Sequence, residues 1–575
     1  MTHFVDDLLA VARSAPDLVA LRWFGGRDGG RVREEVTFGS LAERVERTAS
    51  GLRAQGMEPG DRVLFSIRPR PEGVVLCLAV LRAGGAVVFV DPGSTPELFA
   101  ARIAAAKPRW AATEALLYAA SSGPLRGVAR SRGLLLPDYG RLPVRHLYTG
   151  AWLPGVPRGA RRVTSLGRVA PGSGRASATG AGAPGVTGEA DREALVVFTS
   201  GTTSDPKAVV HTARTLGGML GLFARVGDLK PAQRAHTDQM FLGLPAIMAG
   251  GTWEIPAKAP KDAPEAFARG VAGADSSFLV PADVTALLDV LETRSRAGGT
   301  TPAEGPAVLA VGAAPVTVAL LERGRRVLPG TRWLAVYGAT EILPAAVTDA
   351  DEKIAAAAEG DLVGHPLDGT GVRIDPEAAS DPEAAAGADG ADGAGEPAGG
   401  DGERVVGELV LTGPSLMAGY LSDLDAGGPR AVEHRTGDLA YRDVEGRIVL
   451  VGRNRDMIIR GTVNIYPGLF EPRLRDLPGV ADAVMVGVPV PDGDERVVLV
   501  VTAEGGTRTT GTPEIRATTE LTRSVADQVG RVVDHGALPD LVVEASHLPL
   551  AGRSRKPDRR ALVSLVSPVT GTVRA

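Results

Sequence analysis

The feature that most constrains this chain is a recurring alternation of short apolar strands with apolar helices. "RVLFSI" at 62–67 and "GAVVFVDP" at 85–92 read as buried strands, and "PEGVVLCLAVLRAG" between them reads as a helix. A strand, a helix and a strand in that order predict a right-handed parallel βαβ unit. The pattern recurs around "LVVFTSG", "SSFLVPADVTALLDVLETR" and "PAVLAVGAAPVTVALLERGRRVLPGTRWLAVYGATE". Repetition of this kind predicts a large α/β architecture.

After residue 403 the pattern changes to short apolar segments with turn signals: "VVGELVLTG", "LAYRDVEGRIVLVG", "AVMVGVPV" and "ERVVLVVTAE". The Gly/Arg/Asp junction near 452–456 is expected to separate a large N-terminal domain, 1–452, from a small α+β domain, 453–575. Two low-complexity segments interrupt the chain. Residues 165–190 have little to bury, and residues 376–403 are acidic and rich in Gly and Ala. Both read as disordered loop insertions, which cost little because loop-closure entropy grows slowly with length.

Composition removes several classes. A net charge of −5 leaves no broad cationic surplus for nucleic acid. Cys77 is the only cysteine, so disulfides within the chain and thiolate zinc sites are excluded, and its apolar surroundings suit a buried structural thiol. The N-terminus has early acids and no compact apolar h-region, and no apolar run approaches the ~20 residues of a membrane span. A soluble cytoplasmic protein without a membrane span is expected.

The segment "FTSGTTSDPKAVVHT", 198–212, carries the chemistry. Backbone N–H groups and the hydroxyls of Thr199, Ser200, Thr202 and Thr203 surround Gly201, with Lys207 close behind. Such a loop suits phosphate oxygens. The Walker A spacing is absent. On composition alone, a Ser/Thr-rich strand-to-helix turn with no ligand fits equally well.

The loop resembles the phosphate-binding signature of the adenylate-forming superfamily of acyl-CoA synthetases, peptide-synthetase adenylation domains and luciferases. Further segments resemble the superfamily's later motifs, in its order: "GAAP" (312–315), "YGATE" (337–341), "GEL" (407–409), "GY" (419–420), "TGD" (436–438), "GRNRDMIIRGTVNIYP" (452–467) and "RSRKPDRRAL" (553–562). The resemblance implies a large domain of doubly wound αβαβα sheets and a small mobile C-terminal α+β domain, pivoting near Arg455. It implies that Thr199, Ser200, Gly201, Thr202, Thr203 and Lys207 hold the phosphates of ATP, with Thr199 also close to the chemistry. Gly312, Ala313, Ala314 and Pro315 would run along the adenine face, and Tyr337, Gly338, Ala339 and Thr340 would hold adenine. Glu341 would bind Mg²⁺, Asp438 the ribose hydroxyls with Arg453 beside it, and Lys556 would be the catalytic lysine.

These roles suit the reaction. Adenylation brings a carboxylate to the α-phosphate, so two anions must meet; Mg²⁺ on Glu341 and the Lys556 cation offset that repulsion. Three departures from the family pattern stand out. Ser204 and Ala208 replace glycines of the loop and restrict it, Thr462 replaces a hinge glycine, and Pro557 constrains the tail motif.

"VLFSIRPRPEGVVLCLAVLRAGGAVVFVDPG" and "YGATEILPAA" resemble the β-lactone synthetases within this superfamily. That likeness implies a small-molecule β-hydroxy acid whose hydroxyl attacks its own acyl-AMP, with no CoA. The alternatives are thioester formation with CoA, loading of an acyl carrier protein, and a non-catalytic nucleotide binder. "HTDQMFLGLPAIMAGGTWEIP", 236–256, is expected to line an apolar acyl pocket. There His236 either contacts the substrate hydroxyl or carboxylate, or packs within the loop.

Overall fold

The expected βαβ unit is present as the strand Arg62–Ser66, the helix Pro71–Arg82 and the parallel strand Ala86–Phe89. The helix is apolar on nearly every side and is accordingly buried from Gly73 to Leu81. Pro71 occupies its first turn, where no backbone donor is lost. Cys77 lies in its middle, and burial pushes the thiol up to about 12, which leaves it inert. The protein is described here by a computed structural model covering residues 3–570, apart from 27–28, 91–95, 132–135, 167–188, 199–206, 297–303, 357–359, 377–404, 454–457, 461–462, 466, 490–494, 506–511, 531, 534–536 and 552–555.

The chain divides into two compact units, residues 1–345 with 413–432 and residues 346–412 with 433–575. Both are α/β in character. The junction read near 452 falls within the strand Ile448–Arg453, inside the second unit. Most of the two low-complexity segments, 167–188 and 377–403, lies outside the described residues.

The first unit contains two sheets. In one, Gly419–Tyr420, Ala208–Thr212, Glu193–Phe198, Ala86–Phe89, Arg62–Ser66, Trp110–Glu114, Arg145–Thr149 and Arg161–Arg162 lie side by side in that order. Pairing is parallel from Glu193–Phe198 onward and antiparallel for the first two strands. In the other sheet, Arg332–Ala339, Val308–Val311, Ser276–Leu279, Arg234–His236, Thr252–Ile255 and Val19–Gly25 run parallel, and Arg31–Thr37 closes the edge antiparallel.

In the second unit, Gly371–Asp375, Gly407–Thr412, His434–Arg442, Ile448–Arg453 and Asp361–Pro366 pair antiparallel. A separate sheet follows, ordered Val480–Pro489, Glu495–Ala503, Leu541–Ala545 and Ile515–Arg516. Its strand "ERVVLVVTA" is apolar on consecutive residues because both faces are covered. Val497, Leu499 and Val501 pack with Phe470, Leu474 and Val525, while Val498 and Val500 pack with Leu562 and Val566. Among the described residues no helix is long and apolar enough to cross a membrane.

Candidate active site

In open parallel sheets, ligands bind beyond the carboxyl ends of the strands. In the first unit, three of the segments singled out above stand at such ends. Gly312–Pro315 follow Val308–Val311, Tyr337–Glu341 close the strand Arg332–Ala339, and Thr237–Gln239 follow Arg234–His236. A Cβ on Gly312 would lie 2.9 Å from the Val336 carbonyl and 3.3 Å from the Phe278 ring, so only glycine lets the chain pass there. Ala313 next to it has φ 65°, a left-handed conformation that costs a non-glycine residue about 1 kcal/mol or more. The turn is thus held in shape by its surroundings.

Thr340 and Glu341 form the two-residue turn between Arg332–Ala339 and Ile342–Asp349. Gly338, just before it, has no room for a side chain, since a Cβ would sit 2.7 Å from Leu343. Two residues of the other sheet of this unit, His211 and Tyr420, and Met417 just before its strand Gly419–Tyr420 hold the turn. The Met417 N–H donates to the Glu341 carbonyl at 2.7 Å. His211 Nε2 donates to the Thr340 carbonyl at 2.8 Å, and the Tyr420 hydroxyl donates to Glu341 Oε1 at 3.0 Å. A carbonyl can only accept, so His211 carries its proton on Nε2. Burial lowers the His211 pKa and keeps the ring neutral, against the raising effect of the Thr340 bond and the Glu341 charge. Thr215 Oγ1 lies 3.4 Å from the other ring nitrogen.

The strand Ala208–Thr212 links these groups to the anion loop. It pairs antiparallel with Gly419–Tyr420, Val209 opposite Tyr420 and Val210 opposite Gly419. Lys207, at the loop's last position, places Nζ 5.1 Å from the centre of the Tyr420 ring. A cation over a ring face is favoured by about 0.5–2 kcal/mol. Burial and the neighbouring Glu341 both raise the Tyr420 pKa, so the phenol stays a proton donor. Lys207, Tyr420 and Glu341 therefore form a continuous polar line. Thr199, Ser200, Gly201, Thr202 and Thr203 lie outside the described residues.

A small crevice lies among Phe223, Val226, Leu242, Pro245, Phe278 and Ala310, with the hydroxyl residues Thr237, Ser276 and Ser277 in its wall. Ala235 and Thr237 line it, and His236 does not, because successive strand side chains alternate between faces. The His236 ring packs instead against Phe24 and Phe267, with centroids at 5.8 and 4.9 Å. Gly270 makes room for it, since a Cβ there would come within 2.5 Å of the ring. His236 Nδ1 lies 3.6 Å from Glu254 Oε2, and both side chains are buried. Burial pushes the Glu254 carboxyl up, but His236, Arg22 and Arg234 outweigh it and hold the pKa below the usual value. Asp238 goes the other way: burial, then the charge of Asp283, push it up to about 6.

In the second unit, "TGD" forms a bulge in the strand His434–Arg442. Its partner strand advances from Glu408 to Val410 while the pairing passes from Leu439 to Arg435. Gly437 adopts φ 68°, which glycine allows without strain. Glu408, from the "GEL" segment, holds the bulge. Its carboxylate accepts the Gly437 N–H at 3.0 Å and Arg435 Nε at 3.0 Å. Thr436 Oγ1 donates to the Leu409 carbonyl at 2.8 Å and accepts the Asp438 N–H at 3.0 Å. Asp438 is buried and stands opposite Arg453 in the ladder.

Lys556 lies in a short antiparallel pairing, opposite Ala551. Just behind it, Asp558 accepts the Ala561 N–H at 3.0 Å at the head of the helix Arg559–Thr570. Arg559 reaches Glu471 with both of its terminal nitrogens, at 2.7 and 2.8 Å, and so fixes the start of that helix. Arg455 and Thr462 lie outside the described residues.

A family model described as "AMP-binding enzyme" matches residues 8–421. The chain belongs to the AMP-binding enzymes. It is an adenylate-forming ligase. It is 28% identical to the olefin beta-lactone synthetase of Xanthomonas campestris pv. campestris, over 96% of this chain and 97% of that one. It is 26% identical to the fatty acid–[acyl-carrier-protein] ligase MmaC of Mycobacterium marinum, over 95% and 94% of the two chains. Among solved structures, ATP-bound MatB from Rhodopseudomonas palustris matches with a TM-score of 0.68 at 21% identity, over 98% of this chain and 99% of that one. The amide bond synthetase McbA from Marinactinospora thermotolerans matches with the same TM-score, 0.68, at 23% identity over 98% of both chains. These likenesses show the two-domain fold of the adenylate-forming enzymes.

Proposed function

We propose that this AMP-binding enzyme activates a β-hydroxy acid with an apolar chain and closes it to a β-lactone in the cytoplasm, where ATP is supplied. In the first step a carboxylate oxygen bonds to the α-phosphorus of ATP and the bond to the β-phosphate breaks, releasing pyrophosphate. In the second the β-hydroxyl oxygen bonds to the acyl carbon, the hydroxyl proton leaves, and AMP departs. The observation that carries this reading is the near-full-length likeness to two olefin beta-lactone synthetases, at 28% and 27% identity.

The residues suit the first step. Lys207 extends the anion loop with a cation, and the Gly312 turn at its strand end is assigned to the face of the base. Asp438 offers two acceptors for ribose hydroxyls, with Arg453 across the ladder as a donor. Glu341 is half-buried and supplies a hard carboxylate, the donor chemistry that Mg²⁺ takes together with substrate phosphates. When bound, the ion would neutralise phosphate charge. Lys556 is assigned to the developing charge on the α-phosphate, on a C-terminal segment after 453 that moves between two orientations. The chain of the acid is assigned to the segment after His236, whose Thr237, Leu242 and Pro245 line the small crevice, and not to His236 on the opposite face.

A second reading, transfer of the acyl group to CoA or a carrier protein, is favoured by the likeness to MmaC. One assay separates the two. Acids and β-hydroxy acids are screened for pyrophosphate and AMP release with and without CoA, and products are weighed by mass spectrometry. Stoichiometric AMP release and a lactone without CoA are expected; a requirement for CoA or a carrier protein sinks lactone closure. Lys556→Ala is expected to lower acid-dependent pyrophosphate exchange at least a hundredfold while ATP still binds. Unchanged exchange removes Lys556 from the mechanism.

A further inference from the structure

One stretch of the sequence in the first unit is charged out of keeping with the rest of the chain. Between Arg126 and Arg162 the sequence holds eight arginines, one acid (Asp138) and no lysine, within a protein of net charge −5. Arg161 and Arg162 form the exposed edge strand of the eight-stranded sheet. Arg141 is 84% exposed, and it shares Asp138 with Arg126 at 3.4 and 3.5 Å. One carboxylate facing two guanidinium groups leaves a positive surplus there.

Apolar side chains are exposed on segments within the same stretch. Trp152 is 61% exposed, Val128 47% and Leu125 40%. Three close contacts tie their segments together. The Gly140 N–H donates to Ser122 Oγ at 2.8 Å. A Cβ on Gly123 would meet the Pro154 carbonyl at 2.4 Å, and one on Gly155 would meet Gly123 Cα at 2.9 Å. Residues 122–123, 140 and 154–155 thus form one knot, from which the segments carrying Leu125, Val128 and Trp152 lead out.

We infer that this stretch docks the enzyme on an anionic lipid bilayer, with Trp152, Leu125 and Val128 entering the interface and the arginines meeting lipid phosphates. Charge complementarity selects the partner, since arginine binds phosphate through two parallel hydrogen bonds. The apolar groups select a bilayer over an acidic protein. They come from separate segments, and a bilayer interface accepts scattered apolar groups without shape matching. Tryptophan is also the residue most suited to the headgroup level. Each basic residue near such a surface contributes about 1 kcal/mol, and each exposed apolar side chain adds its own burial.

The test uses the full-length protein and sedimentation with two vesicle preparations, phosphatidylcholine alone and an equimolar mixture with phosphatidylglycerol. Binding to the mixed vesicles, weakened by salt and absent from phosphatidylcholine, is expected. Arg161→Glu with Arg162→Glu is expected to weaken it at least tenfold, and Trp152→Ala severalfold, while acid-dependent pyrophosphate release stays at the wild-type rate and reports an intact fold. Equal binding to both vesicles overturns the inference, as does binding that the arginine reversals leave unchanged. Retention on immobilised polyglutamate without any vesicle binding overturns it in favour of an acidic protein partner.

Discussion

Two carboxylates carry the nucleotide roles proposed above, Glu341 within the first unit and Asp438 within the second, and each unit supports its own differently. Glu341 sits on a two-residue turn held by neutral groups: a tyrosine hydroxyl, a neutral histidine and one backbone N–H. Asp438 sits on a bulge locked by charge. Glu408 faces Arg435, Arg435 also reaches Asp375 at 2.9 Å, and Thr436 bonds in two directions. A carboxylate meant for a metal ion gains from neutral supports, which do not compete for its charge. One meant for neutral hydroxyls needs only to be fixed in place, and salt bridges fix it without cost to its acceptor role.

The largest expected effect comes from removing the carboxylates themselves. Asp438→Ala is expected to weaken ATP binding about a hundredfold, since two hydrogen bonds to a charged acceptor are lost. Glu341→Ala is expected to leave ATP affinity in low magnesium nearly unchanged and to depress turnover instead. Calorimetric titration and pyrophosphate release separate these outcomes, and wild-type ATP affinity in Asp438→Ala would discard the ribose assignment.

A smaller effect tests the supports. Glu408→Ala is expected to lower thermal stability and ATP affinity together, because the Gly437 N–H and Arg435 lose a common partner. Tyr420→Phe keeps the ring under Lys207 and removes only the hydroxyl. About a tenfold fall in turnover, with the melting temperature unmoved, is expected. Equal stability losses in the two variants would erase the contrast between them.

The smallest effect concerns pH. The Asp238 pKa is raised from 3.8 to about 6, so the folded state binds the extra proton and stability falls as pH rises from about 4 to 6. Asp238→Asn is expected to be more stable than wild type by on the order of 2 kcal/mol at pH 7, with the difference vanishing below about pH 4. Denaturant melts at the two pH values measure it; a constant difference would mean that Asp238 is not held by its neighbours as described.

The contrast also shows what was legible in advance. "YGATE", "TGD" and "GAAP" are local strings, and each marks a strand end or a bulge by its glycines and turn residues. Their order followed from the sequence, and the strand ends and the bulge from the structure. His211 was not singled out, although it stands in the quoted loop segment, because a histidine in an apolar strand gives no sign of its partner. Its partner is 129 residues away. Glu408 was read only as part of a strand leading to "TGD". His236 drew notice by its residue type, yet strand alternation turns it away from the crevice and gives that position to Thr237.

By itself, then, the sequence determined the α/β class and the order of the motifs. These rest on periodicity and on short strings whose conformation is set by neighbours along the chain. Only the tertiary structure decided that Tyr420 supports Glu341 across 79 residues, that Lys207 lies over the Tyr420 ring, and that Arg161 and Arg162 form the edge strand of a sheet. Those contacts depend on which strands become neighbours, and strand order is set by the packing of whole layers, which no local pattern encodes.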